Sequence, residues 1–180
     1  MKKIVKLSMV VVSAVILLAV ATRYADSQTK GGPSTKTNGS VGYTSILNNF
    51  TVDNTALVLV DHQVGTIDWA GEINTEQRSQ LKAFAKLIAK FAKGAGMPIV
   101  LTSSLENEAQ GPLLPEFKTI MPEEYAARIK RTGVINAWDD PAFADAVRKT
   151  GRKNILIAGL TTDVCLVPPE LSARLKASML

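Results

Sequence analysis

Two residues of this sequence, far apart along the chain, could together carry out nucleophilic chemistry. Cys165 is the only cysteine, and it follows the apolar run Asn154–Leu160 and the short segment Thr161–Val164. Asp61 directly follows a second apolar run, Ala56–Val60. A thiol becomes a strong nucleophile when a base removes its proton, and a carboxylate can be that base. The pattern indicates thiol chemistry, with a buried inert cysteine as the alternative that position alone leaves open.

The position of Cys165 also bears on its reactivity. We expect the last helix to begin near Val164, and a thiol at a helix N-terminus has its thiolate stabilised by backbone N–H groups. A nearby cation would stabilise the thiolate and the carboxylate alike. Lys130 and Arg131 end another short run. Because adjacent strand residues face opposite ways, only one of these two should point into the site.

The elements that must position these residues alternate between strands and helices. Continuous apolar runs predict buried parallel strands, and spacing of three and four predicts amphipathic helices. The alternation predicts an α/β fold, with three α/β/α layers around a mostly parallel sheet. The predicted strands are Ala56–Val60, Met97–Ser103, Ala127–Arg131 and Asn154–Leu160. The predicted helices are Thr75–Lys93, capped by Thr75 and with Phe84 and Phe91 in the core, Pro141–Thr150, capped by Asp140, and one from about Val164.

A parallel sheet would gather the chemically active residues at one edge. Ligands bind outside the carboxyl ends of the strands in open α/β sheets. Asp61, Ser103, Ser104 and the Thr161–Cys165 segment all fall at such ends. If the strands before Asp61 and Cys165 are neighbours, the acid and the sulfur meet.

Composition limits the class of protein. A chain of 180 residues can form one domain with a sizeable core. The net charge is +5, and Lys2, Lys3 and Lys6 at the extreme N-terminus carry three of those charges. No Lys/Arg run with interleaved aromatic residues is present, so we expect no nucleic-acid partner. A single cysteine excludes an intramolecular disulfide.

The N-terminal region resembles an export signal. Residues 1–21 combine the three lysines, an apolar stretch and the small residues Ala19-Val20-Ala21 at a cleavage site. Residues 22–42 are rich in Ser, Thr, Gly and Lys and predict a flexible linker, so the folded domain is predicted to be 43–180. We expect a periplasmic or secreted protein, which would contact a membrane only if the signal stayed uncleaved as an anchor.

Four motifs in order carry a resemblance to a known family. They are DHQVG at 61–65, TSSLENEAQGPLLPE at 102–116, RTGVINAWDDPAF at 131–143 and AGLTTDVC at 158–165. Together they resemble the isochorismatase-like cysteine hydrolases, in particular the YcaC-like subgroup, over roughly residues 43–173.

The resemblance implies a catalytic triad of Asp61, Arg131 and Cys165, with Lys130 as the alternative basic member. An arginine would hold its charge but could not shuttle a proton, because its pKa is too high. The resemblance also implies a cis peptide bond between Leu160 and Thr161, and an oxyanion hole formed by the backbone N–H groups of Thr161 and Cys165. The implied activity is hydrolysis of an amide C–N bond in a small molecule through a cysteine thioester, by a homo-oligomer.

Other polar and aromatic residues of these motifs are candidates for the binding pocket. Gln63, Asn136 and Trp138 are predicted to bind substrate, with local hydrogen bonding or loop packing as the alternative. His62, the only histidine, is expected to be structural or to line the pocket. Relatives that bind a metal use an Asp/His cluster, which one histidine cannot build, so we predict no metal and no cofactor.

The resemblance has one apparent gap. Family members continue beyond the nucleophile helix with further strands, so the domain is expected to be incomplete at its C-terminus, which would leave the Cys165 strand as an unprotected edge. A catalytically impaired binding or assembly module is therefore the main alternative function. A nucleotide-binding Rossmann domain ranks last, because no G-x-G-x-x-G turn follows Ala56–Val60.

Overall fold

The structure, a computed structural model, describes residues 50–69 and 73–177, with side chains as far as residue 175. The predicted signal (1–21), the linker (22–42) and the start of the domain at residue 43 lie outside the described residues.

A four-stranded, entirely parallel sheet forms the centre of the described domain. The strands lie in the order β3-β2-β1-β4. Their bounds are β1 Thr55–Val60, β2 Ile99–Ser104, β3 Ile129–Arg131 and β4 Asn154–Gly159. The α/β prediction is confirmed, and each strand lies within two residues of its predicted bounds. Because β1 pairs with both β2 and β4, the residues that follow β1 and β4 leave the sheet side by side.

Helices and short turns connect the strands. The helices are α1 Val64–Trp69, α2 Thr75–Gly94, α3 Pro115–Ile120, α4 Pro122–Ala126, α5 Pro141–Lys149 and α6 Val167–Ala177. Two 3-10 turns, Val52–Asn54 and Ala137–Asp139, and one π-helical turn, Thr162–Leu166, complete the described elements. No helix within the described ranges is long and apolar enough to cross a bilayer.

Alternation along β1 gives the sheet two buried faces. Leu57 and Leu59 pack on one side in a cluster with residues of α2 and α3, and Val58 and Val60 pack on the other side in a cluster with residues of α5. Side chains alternate across a strand, so one central strand supplies both layers of core. The helices that cover the two faces build the three predicted layers.

The first long helix corrects two details of the sequence prediction. Its cap is Asn74, whose side chain accepts from the N–H of Gln77, rather than Thr75. Phe84 and Phe91 are 48% and 44% exposed, so their assignment to the core was wrong. The helix instead buries three alanines, Ala85, Ala89 and Ala92, and Ile88 and Ala95 pack partly buried against the same cluster.

The start of α5 shows a cap that the sequence did indicate. Asp140 accepts from the N–H groups of Ala142 and Phe143, and Pro141 occupies the first helical position. A capping carboxylate of this kind contributes about 1 kcal/mol. It fixes where the chain turns from the β3 loop into α5.

Candidate active site

Asp61, Arg131 and Cys165 meet at the carboxyl edge of the sheet. The Cys165 Sγ donates to Asp61 Oδ2 at 3.3 Å, and the Arg131 guanidinium donates to the same oxygen through Nη2. All three residues are buried, at 5% exposure or less. Asp61 follows β1 and Cys165 follows the neighbouring β4, whereas Arg131 ends β3, two strands away from β1. The long arginine side chain spans the width of β2.

The choice between the two adjacent basic residues is clear from their surroundings. Besides its ion pair with Asp61, Arg131 donates from Nε to Thr102 Oγ1 at 3.0 Å and from Nη1 to the carbonyl of Val134. The Lys130 side chain is 62% exposed and lies 3.7 Å from a carboxylate oxygen of Glu106. The alternation of strand side chains therefore sends the arginine into the site and the lysine to the surface.

The backbone of Asp61 has an unusual conformation. Its φ angle is 54°, in the left-handed region, which aspartate adopts more readily than most residues. Its N–H donates to the carbonyl of Thr102 at 3.0 Å, which ties the turn to β2. This turn presents one carboxylate oxygen, Oδ2, to both donors, while Oδ1 is buried without a partner among the described residues. The carboxylate can therefore accept a further donor at Oδ1.

Cys165 lies within the π-helical turn rather than at the start of a regular helix. Its N–H donates to the carbonyl of Thr161 at 2.8 Å, and the Thr161 hydroxyl donates to its Sγ at 3.0 Å. The turn packs tightly over the end of β4, because a Cβ on Gly159 would lie 2.8 Å from the carbonyl oxygen of Cys165. Glycine at position 159 allows this close approach, which brings the sulfur over the neighbouring strand end.

The electrostatics of the sulfur differ from the sequence prediction. The pKa of Cys165 is raised from 9.0 to about 11, first by burial and then by the negative charge of Asp61, while the Thr161 hydroxyl opposes the shift. The prediction of a thiolate stabilised by a helix N-terminus was wrong, because the N–H of Cys165 is already engaged and the side chain is desolvated. The resting residue is a thiol that donates to the carboxylate.

Two expectations about the nucleophile turn also differ from the structure. The peptide bond between Leu160 and Thr161 is trans, as are all described peptide bonds, so the expected cis bond is not present. The N–H of Cys165, assigned to the oxyanion hole together with that of Thr161, donates instead to the Thr161 carbonyl. In this conformation it is not free to bind a substrate oxygen.

The three residues predicted to bind substrate are engaged elsewhere. Gln63 is fully buried; its Nε2 donates to the carbonyls of Ser104 and Gly111, and its Oε1 accepts from the N–H of Ser104. Its side chain therefore holds the loop after β2 and has no exposed surface for a ligand.

Asn136 and Trp138 likewise stabilise the loop between β3 and α5. Asn136 accepts from the N–H of Trp138 at 3.2 Å and donates to Ser172 of α6 at 2.9 Å. The Trp138 ring is buried and packs edge-on against Phe143, in the same apolar cluster as Cys165. Trp138 thus packs in the cluster that contains Cys165, and Asn136 joins the loop to α6, through contacts that the motif alone did not reveal.

His62 is buried and neutral. Burial lowers its pKa from 6.5 to about 4, partly offset by a hydrogen bond with the backbone of Val60. Its ring centroid lies 6.0 Å from that of Phe117, and its Nδ1 is among the buried atoms without a described partner. The structural role expected for this histidine agrees with that environment.

His62 should make the fold sensitive to acid. The unfolded chain takes up a proton near pH 6.5 and the folded chain only near pH 4, so folding stability is lost as the pH falls through that window. The shift corresponds to roughly 3 kcal/mol. We expect denaturant unfolding of the wild type to lose this amount relative to His62→Gln between the two pH values. Curves with equal pH dependence would contradict the assignment.

Two side chains that matter to the site were not singled out from the sequence. Thr102 accepts from Arg131 and donates to the carbonyl of Ile129, and Thr161 donates to the sulfur. Thr102 is the first polar residue after the apolar half of β2, a signal that could have identified it. For Thr161 the signal was its place in the turn before Cys165, which we used only for its backbone.

Two cavities of the described domain are not lined by Cys165. A cavity of about 210 Å³ is lined by Arg131 together with Glu106, Lys130 and neighbouring loop residues. A larger one, about 410 Å³, lies against the first half of β2 and the end of α5, away from the chemistry. Within residues 50–69 and 73–177 no three His, Cys, Asp or Glu side chains are placed to hold a metal ion.

Comparison with known proteins decides the family. The isochorismatase domain family matches residues 55–174. The chain belongs to the isochorismatase family. The matched range contains all four strands and all three residues of the triad, so family membership and site geometry concern the same part of the chain.

Isochorismatase-family relatives named YcaC are similar to this chain. The probable hydrolase YcaC of Escherichia coli K12 is 40% identical over 118 residues, which is 66% of this chain and 54% of the relative. The structure of the E. coli YcaC gene product, described as an octameric hydrolase of unknown specificity, aligns with a TM-score of 0.66 at 35% identity, over 78% of this chain and 63% of that one.

A second isochorismatase-family structure agrees in fold. YcaC from Pseudomonas aeruginosa, with hexane-2,5-diol and covalent acrylamide, aligns with a TM-score of 0.67 at 35% identity, over 76% of this chain and 63% of that one. The chain therefore spans 54% to 63% of the length of these relatives.

Proposed function

We propose that this isochorismatase-family chain is a cysteine-dependent hydrolase that cleaves the amide C–N bond of a small molecule, with Cys165 as nucleophile, Asp61 as proton carrier and Arg131 as fixed cation. The observation that carries the proposal is the 3.3 Å contact in which the Cys165 thiol donates to an Asp61 oxygen that Arg131 also contacts. A buried thiol facing a paired carboxylate is arranged for proton transfer along that hydrogen bond.

The first half of the reaction follows from the protonation state of the sulfur. Because the pKa of Cys165 is about 11, the thiol transfers its proton to Asp61 as the sulfur attacks the carbonyl carbon. The C–N bond then breaks, Asp61 returns the proton to the leaving nitrogen, and a thioester with Cys165 remains. Arg131 stays charged throughout and keeps the carboxylate in place, since a guanidinium does not give up its proton.

The second half of the reaction releases the carboxylic acid product. Water attacks the thioester carbonyl and gives a proton to Asp61, the C–S bond breaks, and the proton returns to the sulfur. The unpartnered Asp61 Oδ1 could accept a hydrogen bond from this water or from the leaving amine. One carboxylate thus serves both half-reactions, and the thiol is regenerated.

Stabilisation of the oxyanion requires a local change in this conformation. The N–H of Cys165 donates to the Thr161 carbonyl, and that bond would have to exchange for one to the substrate oxygen. A backbone hydrogen bond of this kind contributes about 1 kcal/mol net, whereas an oxyanion donor contributes roughly 3 kcal/mol in the transition state. The exchange is therefore energetically favourable once the oxyanion forms.

A covalent adduct on Cys165 is the decisive test. We would incubate the protein with a panel of small primary amides, and with acrylamide because it is covalently bound in the P. aeruginosa relative, and measure intact mass and released ammonia. We expect an added mass that maps to Cys165 and ammonia release from at least one hydrolysable amide. Both should disappear in Cys165→Ala.

Two results would contradict the proposal. Ammonia release that persists in Cys165→Ala would remove the nucleophile from the mechanism. A wild-type chain that is folded by circular dichroism, yet forms no adduct with any amide, would support the binding or assembly module instead.

Self-association belongs to the same proposal. E. coli YcaC is described as octameric, and Phe84, Leu87 and Phe91 form an exposed apolar stripe on α2. We propose that this chain forms a homo-oligomer. Export to the periplasm or beyond also remains a proposal, since its signal lies outside the described residues.

A further inference from the structure

The side chain of Thr161 contacts the proposed nucleophile directly. Its Oγ1 donates to Cys165 Sγ at 3.0 Å, while its carbonyl accepts from the Cys165 N–H at 2.8 Å. The backbone of Thr161 is extended, with φ −105° and ψ 118°, and its branched Cβ restricts the side-chain rotamer. One residue thus holds both the main chain and the sulfur of Cys165.

The sulfur lies in a chain of two hydrogen bonds. The Thr161 hydroxyl donates to Sγ, and the thiol in turn donates to Asp61 Oδ2 at 3.3 Å. Among the described residues, Thr161 is the side chain that donates to the sulfur, whereas Asp61 accepts from it. The charged groups that face the sulfur are Asp61 and, behind it, Arg131, which contacts the carboxylate.

We propose that Thr161 is a positioning residue for the reaction. Its hydroxyl orients the sulfur towards Asp61 and stabilises the thiolate as it forms. The inference rests on the proposed role of Cys165 as nucleophile. When the thiol proton moves from Sγ to Asp61 Oδ2, Thr161 keeps its own proton and now donates to an anion. Hydrogen bonds to ionised acceptors are roughly twice as strong as those between neutral groups, so the hydroxyl favours the thiolate over the thiol.

The contact also favours the reaction that we propose for this buried thiol. Burial and the Asp61 charge both oppose ionisation, and the Thr161 hydroxyl works against them. Without that donor the sulfur would face a carboxylate alone. The hydroxyl therefore acts on the step that is hardest for this cysteine, the loss of its proton.

Thr161→Val tests the proposal without any substrate. We would measure the rate of iodoacetamide alkylation of Cys165 across a range of pH, with the site mapped by mass spectrometry. Valine keeps the branched shape and removes the donor. We expect the inflection of the profile to move up by about one pH unit, and alkylation at a fixed pH below it to slow about tenfold.

Matched variants separate the hydroxyl from the shape of the turn. Thr161→Ser keeps the donor and should restore most of the wild-type profile. Thr162→Val changes the neighbouring exposed threonine and should leave the profile unchanged. If Thr161→Val is not folded by circular dichroism, Thr161→Ala replaces it with the same expectation.

The outcomes distinguish this inference from the proposed function. A wild-type profile in Thr161→Val, or equal shifts in Thr161→Val and Thr162→Val, would overturn the role of the hydroxyl even if Cys165 forms amide adducts. Conversely, a shifted profile together with no adduct on any amide would remove the hydrolase assignment, while the effect of Thr161 on the thiol would stand.

Discussion

Replacing Arg131 by methionine is expected to lower the free energy of unfolding by about 3–5 kcal/mol, because it leaves the Asp61 carboxylate buried without its cation. Arg131 is 3% exposed and also donates to Thr102 and Val134, so further polar groups would lose their donor. Urea unfolding followed by circular dichroism measures the loss.

The adjacent lysine provides the matched control for that experiment. Lys130 is mostly exposed and its ion pair with Glu106 is long, so Lys130→Met should change stability by less than about 1 kcal/mol. Equal effects of the two substitutions would contradict the assignment of Arg131 to the site. The double variant Asp61→Asn/Arg131→Met should be more stable than Arg131→Met, because it removes both buried charges together and keeps a residue that tolerates the left-handed backbone.

Asp61→Asn is expected to have opposite effects on two rates: alkylation of Cys165 should become faster and amide hydrolysis should become slower. Removal of the negative charge, with the Arg131 cation retained behind position 61, should lower the pKa of the thiol and speed its alkylation near neutral pH. Hydrolysis of the best amide from the adduct screen should fall by about 10²–10⁴-fold, because the proton carrier is lost. Asparagine tolerates the left-handed backbone at this position, so the turn should be retained.

Paired measurements make this prediction specific. Alkylation rate against pH and amide turnover would be recorded on the same preparations, with Asp163→Asn as a control in the exposed part of the nucleophile turn. The control should leave both values near wild type. A variant Asp61→Asn in which alkylation and turnover fall together would show that the substitution disrupts the site instead of removing a base.

Most of the fold was predictable because it depends on local pattern. The runs that became β1 and β4 are continuous and apolar, as expected of strands buried in a parallel sheet, and the alternation of strands and helices permits few other arrangements. The error in the fold prediction concerns which side chains of the helix are buried. Phe84 and Phe91 have the spacing of core residues, yet the fully buried residues of the helix are three alanines, because the distance between helix and sheet is a property of the packed structure.

The sequence predicted which residues form the site, but it predicted their ionisation states and hydrogen bonds less well. The carboxyl-edge argument brought Asp61 and Cys165 together, whereas the sequence left Lys130 and Arg131 open until the alternation of β3 was known. Gln63 and Trp138, which we predicted to bind substrate, do belong to the motifs that surround the site. The tertiary structure was needed to show that Gln63 is buried and bonded to the loop after β2, and that Trp138 packs in the same cluster as Cys165.

By itself, the sequence determined the layered α/β fold and identified the acid, the cation candidates and the sulfur at the carboxyl ends of its strands. The physical reason is that the position of each strand along the chain, and its alternation with helices, follow from local hydrophobic pattern. The order of the strands in the sheet, which makes β1 and β4 neighbours, came from the tertiary structure. The tertiary structure alone decided the state of those groups: a thiol rather than a thiolate, an arginine rather than a lysine, and a Cys165 N–H turned towards Thr161. The physical reason is that ionisation and hydrogen bonding depend on burial and on distances of a few ångströms between residues far apart in the chain, and no local pattern encodes those.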